Sequence, residues 1–480
     1  MNYNELQPSR VWHYFSAISQ IPRESGNEKA VSDYLYNAIS QMGIKAMQEP
    51  CGNVIAYKPA SAGYEQAKTV ILQGHMDMVC VKNDDSQHNF ETDPIELIVD
   101  GDLLRANGTT LGADNGIAVA MAMAILEDNS LSHPALTVLF TTSEETGMDG
   151  AIALDPANLP GDMLINLDSE EEGYLLTSNA GGANVDLHLP IDWVNASYDN
   201  FYQIGIEGLK GGHSGVEIDK MRANAIKLMG RLLKQLNPDN YQISAIAGGE
   251  KMNAIANSCS VKISTAANVE AMLASLEPIE KTFKAEFAVA DPDLKIVFQR
   301  CEQTVKVFSR QTADALIDAL LLLPQGVQTM SQSIDGLVES SNNIGVISQD
   351  EVKITIVNAL RSSVASLKEL ICTQMFAIAD LVKATPERYA DYPEWSYRID
   401  SPLRDKMLEV YRDMYGKDMI VQAIHAGLEC GLFAEKMPDL DMVSIGPDMW
   451  DVHSPRERLS IASTERTYQY LLEVLKNLKL

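Results

Sequence analysis

The chain has 480 residues, with 38 Lys and Arg against 66 Asp and Glu, for a net charge of −28. That length is more than one hydrophobic core usually serves, so two domains are expected, and 46% hydrophobic with 22% charged residues is an ordinary soluble composition. The acidic excess argues against nucleic acid and against anionic membrane surfaces, both of which call for a basic face.

The opening MNYNELQPSR lacks the basic-then-apolar order of a secretory signal, so a cytoplasmic location is expected. Between Asn27 and Gly43, the apolar positions Val31, Tyr34, Leu35, Ala38, Ile39 and Met42 follow helical spacing, with Gly43 as the stop. Short apolar runs follow, each ending in polar residues. Val70 to Leu72 leads into Gly74-His75-Met76-Asp77, Thr137 to Phe140 into Ser143-Glu144-Glu145, and Met163 to Leu167 into Asp168. Far downstream, Met442 to Ile445 precedes Gly446-Pro447 and then His453. The longest apolar run, Ile117 to Leu126, is ten residues, half of the roughly 20 that a bilayer helix needs. It reads as packing within a helix from Gly116 to Leu126. The tail from Thr464 to Leu480 carries Tyr468, Leu471, Leu472, Leu475 and Leu478 on one stripe.

Short strands alternating with helices predict an α/β domain with a mostly parallel mixed sheet, whose ligands sit beyond the carboxyl ends of the strands. Residues 186–398 have a different texture. Alternating runs (Phe201 to Ile206, Val352 to Val357) mix with amphipathic helices (Asn224 to Leu236, Ala313 to Leu323, Val364 to Ala384), an α+β pattern inserted into the first domain. Each half of the insert shows strand, helix and strand signals, without a clean repeat. The expected layout is therefore residues 1–185 and 399–480 as a catalytic domain and 186–398 as an inserted lid.

The six cysteines form no CxxC pair, so a zinc–thiolate site is not expected, and any metal would be held by imidazole and carboxylate. His75, Asp114, Glu145, Asp168 and His453 are the candidates, spaced 39, 31, 23 and 285 residues apart. In GHMDMV, Asp77 alternates with His75 and can hold its second nitrogen. In TLGADNG, Asp114 lies in a turn before a helix, where one carboxylate can reach two metals. In TSEETG, Glu144 and Glu145 end a strand, one suited to ligation and the other to acting as base. His13, His88, His133 and His188 read as structural or surface residues, His425 as structural or pocket-lining, and Glu170-Glu171-Glu172 as a solvated loop.

The order HxD, GAD, EE, D and a distant H resembles the dinuclear zinc metallopeptidase family of carboxypeptidase G, aminoacylase, the carnosinases and bacterial dipeptidases. TLGADNG, GLKGGHSG, NALRSS and HAGLECG resemble its bacterial Xaa-His dipeptidase branch over the whole chain. The resemblance implies a zinc-aminopeptidase-like catalytic domain interrupted by a lid, and two zinc ions per chain, with cobalt or manganese as substitutes. Asp114 would bridge the metals, Glu145 and His453 completing one shell and His75 and Asp168 the other. Glu144 would be general base, Asp77 would orient His75, and His213 in GGHSG would stabilise the oxyanion. Asn253 and Arg361 would bind substrate, Arg361 taking its terminal carboxylate. Where several relatives carry a lysine after the bridging aspartate, this chain has Asn115-Gly116.

The implied activity is hydrolysis of dipeptides, Xaa-His and carnosine-type substrates among them. The nearest rival is an N-acyl amino acid deacylase of the same family, and the remote one a non-catalytic binding protein. A homodimer formed through the lid is expected, with His213 serving its own chain or its neighbour.

Overall fold

The computed structural model describes residues 5–479. The chain forms two compact units. One takes the chain up to Ser178, then Trp395–Ala423 and everything from Leu428 onward; the other is Asn179–Glu394 with Ile424–Gly427. The change of texture read at 186 and 398 falls a few residues after each of these limits. The strand Gly181–Pro190, which opens the insert, already belongs to the second unit's sheet. The return of Ile424–Gly427 to the second unit has no compositional mark.

The first unit is built on an eight-stranded mixed sheet in the order Lys45–Gln48, Val54–Lys58, Leu136–Thr141, Val70–His75, Met163–Asn166, Asp441–Ser444, Tyr174–Asn179 and Ile420–Ile424. Its centre is parallel: Val70–His75 pairs in parallel with Leu136–Thr141 and with Met163–Asn166, which pairs in parallel with Asp441–Ser444. The flanks are antiparallel. The central strands Val70–His75, Leu136–Thr141, Met163–Asn166 and Asp441–Ser444 are buried along their whole length, which is why they read as continuous apolar runs rather than alternating ones.

The helix Ala113–Glu127 is buried at every residue from Asn115 to Leu126, and this explains its all-round apolar composition. Burying each Leu, Ile or Val side chain there contributes about 1.5–3 kcal/mol. Its last carbonyls would be left without partners inside the protein. The buried Lys58 ammonium fills that place, donating to the carbonyls of Ile125, Leu126 and Asp128 at 2.8, 3.0 and 2.7 Å. The amino-terminal helix Ser9–Ser19 packs on this helix through Val11, Phe15 and Ile18. The closing helix Ile461–Asn477 carries the stripe Tyr468, Leu471 and Leu475 into the same core.

The second unit is built on a nine-stranded sheet that joins the two halves read from the sequence, beside a two-stranded sheet of Trp193–Asn195 and Lys306–Phe308. The larger sheet runs Lys295–Arg300, Asn200–Glu207, Cys259–Thr265, Tyr241–Gly248, Val338–Gln349, Lys353–Ser362, Gly181–Pro190 and Thr385–Tyr392, with Gly326–Met330 added on Val338–Gln349. Among the described residues its strand pairings are all antiparallel. The helices Ala225–Gln235, Val269–Glu286, Arg310–Leu322 and Ala365–Val382 share its core through residues such as Leu232, Phe283, Leu320 and Met375. Among the described residues no helix is long and apolar enough to cross a membrane.

Candidate metal centre

Each parallel strand of the first unit delivers acidic or imidazole groups at its last residue or in the segment that follows it. His75 closes its strand. Leu136–Thr141 leads to Ser143, whose left-handed φ of 55° turns the chain into the short helix Glu144–Gly147. Met163–Asn166 leads to Asp168, and Asp441–Ser444 to the loop holding His453, itself left-handed at φ 59°. Non-glycine residues held there cost of order 1–3 kcal/mol, so the surrounding structure must impose them.

The side chains converge on Asp114. One of its carboxylate oxygens lies 3.2 Å from His75 Nε2, and the other 3.0 Å from His453 Nε2. Asp168 completes the first set, 3.5 Å from His75 Nε2, and Glu145 the second, 2.9 Å from His453 Nε2. The trios His75–Asp114–Asp168 and Asp114–Glu145–His453 each offer ligand atoms within 4.8 Å of one another, and they share Asp114. A further trio joins His75 to Glu144 and Glu145. Imidazole nitrogen and carboxylate oxygen, without thiolate, suit zinc and its borderline neighbours.

The electrostatics are those of several buried acids crowded around two imidazoles. Burial, with the nearby Asp114 and Glu145 charges, pushes Asp168 up to about 6 against the pull of His75, and burial drives Glu144 well above the usual glutamate range. Burial also pushes Asp114 upward, but hydrogen bonds from His453 and His75 outweigh it and leave it low. Hydrogen bonds to Asp114 and Glu145 raise His453 to about 11. Divalent cations would relieve this excess of negative charge, and in this respect the residues fit the group.

Asp77 does more than face His75. Its Oδ1 lies 3.3 Å from His75 Nδ1 and accepts the Glu144 N–H at 3.1 Å, while Oδ2 accepts the Glu145 N–H at 3.2 Å and the Ser25 hydroxyl at 2.7 Å. Asn115, next after Asp114, is fully buried: its side-chain oxygen accepts the His75 N–H at 3.2 Å and its amide donates to the Leu167 carbonyl at 2.9 Å. It thereby joins the loops carrying His75, Asp114 and Asp168.

Below the ligands lies a polar network that the sequence reading missed. Buried Glu429 accepts from Gln73 Nε2 at 2.5 Å and from the Thr141 hydroxyl at 2.8 Å, and burial pushes it up to about 8. Gln73 accepts from Asn166 at 2.6 Å, and Asn166 accepts the Asp168 N–H at 3.2 Å. A polar residue inside an apolar strand, as at Gln73 and Asn166, is the one local signal that could have pointed to it.

In the second unit, His213 Nδ1 accepts the N–H groups of Gly215 and Val216, both at 3.2 Å. That leaves Nε2 to carry the proton and donate. Burial and the Arg361 charge lower the His213 pKa, favouring this neutral form. Arg361 donates to the Tyr392 hydroxyl at 2.9 Å, and its buried Nε has no partner. Asn253 is exposed beside His213, its carbonyl accepting the Ser214 N–H at 2.9 Å. His425 is buried, with Nε2 2.7 Å from the Ser341 hydroxyl. His133 is a buried structural residue, its Nδ1 2.7 Å from the Pro134 carbonyl. The acidic triplet is not simply solvated, because the Glu172 carboxylate accepts from Arg466 Nε and Nη2 at 2.7 and 2.5 Å.

Known proteins resemble this chain over nearly its whole length. The cytosol non-specific dipeptidase of Escherichia coli (strain K12) is 37% identical over 479 residues, 99% of each chain. The solved aminoacylhistidine dipeptidase of Vibrio alginolyticus superposes with a TM-score of 0.95 at 35% identity, covering 100% of this chain and 98% of that one. The aminopeptidase PepT of Bacillus cereus shares the fold alone, with a TM-score of 0.58 at 14% identity over 99% of this chain and 100% of that one. Peptidase family M20/M25/M40 matches residues 71–477, and the chain belongs to that family.

Proposed function

We propose that this chain is a cytoplasmic dipeptidase that uses two zinc ions, held by His75 and Asp168 on one side, by Glu145 and His453 on the other, and by Asp114 between them. The observation that carries the reading is the placement of the two Asp114 oxygens, one on each imidazole. Membership of a peptidase family and the dipeptidase names of two relatives covering nearly the whole chain support it.

When bound, the metals supply Lewis-acid polarisation of the peptide carbonyl and acidify the attacking water. The rest is done by the protein. Glu144, beside the ligand Glu145, takes the proton from the water and returns it to the leaving amine. Its backbone is fixed by Asp77, so the carboxylate is presented from a held position. His213, with its proton on Nε2, donates to the oxygen that becomes negative in the transition state. Arg361 takes the substrate's terminal carboxylate in a fork, and Asn253 adds a polar contact. A site that captures a free carboxylate at a fixed distance from the scissile bond favours dipeptides. Dipeptides ending in histidine are the substrate class suggested by the Vibrio relative, and a homodimer is the assembly we assign.

The test is a hydrolysis panel of Xaa-His and other dipeptides, tripeptides and N-acetyl amino acids, run on metal-free and zinc-restored protein. Zinc-dependent cleavage of dipeptides well above tripeptides is expected. Faster turnover of N-acetyl amino acids would replace this reading with deacylation, and no zinc dependence would refute it.

A further inference from the structure

The loop Leu111 to Asp114, which carries the shared ligand, is held from outside the ligand set. Four consecutive backbone N–H groups there converge on one carboxylate, that of Glu457. Its Oε2 accepts from Leu111 and Gly112 at 2.7 and 3.0 Å, and its Oε1 from Ala113 and Asp114 at 2.8 and 3.3 Å. Glu457 is 2% exposed and stands four residues after His453. Arg23, also 2% exposed, ties this loop to the segment after His75: Nη2 donates to the Gly112 carbonyl at 2.5 Å, and Nη1 to the carbonyls of Met76 and Asp77, both at 3.0 Å. The backbone is pressed onto this guanidinium. Gly112 has a φ of 69°, and a Cβ there would lie 2.4 Å from Arg23 Nη2.

We infer that Glu457 is a positioning residue that sets the separation between His453 and the shared ligand Asp114, by tying the loop of one to the backbone of the other. The two ligands lie 339 residues apart in sequence and meet at 3.0 Å, so their spacing is not set by the chain between them. The 454–457 segment is the short link. Ser454 accepts the Glu457 N–H at 3.0 Å through its carbonyl, so the loop is a tight turn with His453 before it and the carboxylate after it. A displaced Asp114 backbone would spoil the second metal's shell first, because His453 and the Asp114 loop are both referred to Glu457. His75, in contrast, is fixed by its own strand and by Asn115. The inference rests on the metal centre proposed above.

The experiment titrates metal-free protein with cobalt(II) and follows visible absorption, for the wild type, Glu457→Gln and Asp441→Asn. Gln keeps the size of the side chain but turns an N–H donor toward two N–H donors. Asp441 serves as the control, because it is a buried carboxylate of the same unit that accepts from the Ser401 hydroxyl and the Leu403 N–H and so holds only a helix start. The wild type should take two cobalt ions. Glu457→Gln should take the first with near wild-type affinity and the second about 10–100-fold more weakly, the usual effect of losing a group that orients a ligand. Asp441→Asn should lower thermal stability with both affinities unchanged. If Glu457→Gln does not fold, Glu457→Asp keeps both oxygens on a shorter stem and should weaken the second ion by a smaller factor. Wild-type affinity for both ions in the Glu457 variants, or an equal shift in Asp441→Asn, overturns the inference. A wild-type chain that takes fewer than two ions overturns the metal centre itself, and the inference with it.

Discussion

The carboxylate oxygen of Asp77 that lies 3.3 Å from His75 Nδ1 is the same atom that accepts the backbone N–H of Glu144 at 3.1 Å. One buried carboxylate thus faces a proposed metal ligand and holds the backbone of the proposed base. Asp77→Asn replaces one acceptor oxygen with a donor. Metal affinity should fall about 10–100-fold, and kcat should stay depressed even at saturating zinc. Full recovery of kcat at high zinc would show that the bond to Glu144 has no part in the reaction.

Glu144→Gln should lower kcat by about 10²–10⁴, the usual contribution of a positioned acid–base group. Both metals should remain, because Glu145 keeps its place 2.9 Å from His453. Elemental analysis alongside kinetics checks this. Retained hydrolysis with retained metal would remove Glu144 from its role.

The two residues of the second unit should separate kinetically. Arg361→Met should raise KM for a dipeptide by about 10–150-fold, the worth of a charge-assisted hydrogen bond, and should matter little for the C-terminal amide of the same dipeptide. His213→Gln should lower kcat by about 10²–10³ with KM little changed. A KM effect alone at His213 would make it a binding residue.

Glu429 gives a pH prediction for the metal-free chain. Burial raises its folded pKa to about 8, above the ordinary 4.5, so its favourable contribution is complete below about pH 4.5 and is lost as pH rises through 8. Glu429→Gln resembles the protonated form, with its oxygen still accepting from Gln73 and Thr141. The stability of Glu429→Gln relative to wild type should therefore rise between pH 5 and pH 9. A flat difference in melting temperature across that range would place the Glu429 pKa near its ordinary value.

The strands that present the site were legible because each is an apolar run with one polar terminus. Gly43, left-handed at φ 78°, ends the first predicted helix region as its position suggested. The antiparallel flanks carry no such mark. The holders of the site were not legible either. Glu457, Arg23, Glu429 and Asn115 act on loops up to several hundred residues away, and alone in sequence a buried glutamate looks like a surface one. The helix Val269–Glu286 was missed because Pro278 and a mostly exposed surface mask its period, with only Met272, Leu276, Ile279 and Phe283 buried.

The strand Asp441–Ser444 lies between Met163–Asn166 and Tyr174–Asn179, which are near neighbours in sequence. The strands up to Tyr174–Asn179 therefore leave a gap in their sheet, which a strand from far downstream fills. Four of the five proposed ligands precede the inserted unit, but His453 and the carboxylate of Glu457 follow the strand Asp441–Ser444. On the reading proposed above, the set of ligands closes only when that downstream strand takes its place in the sheet.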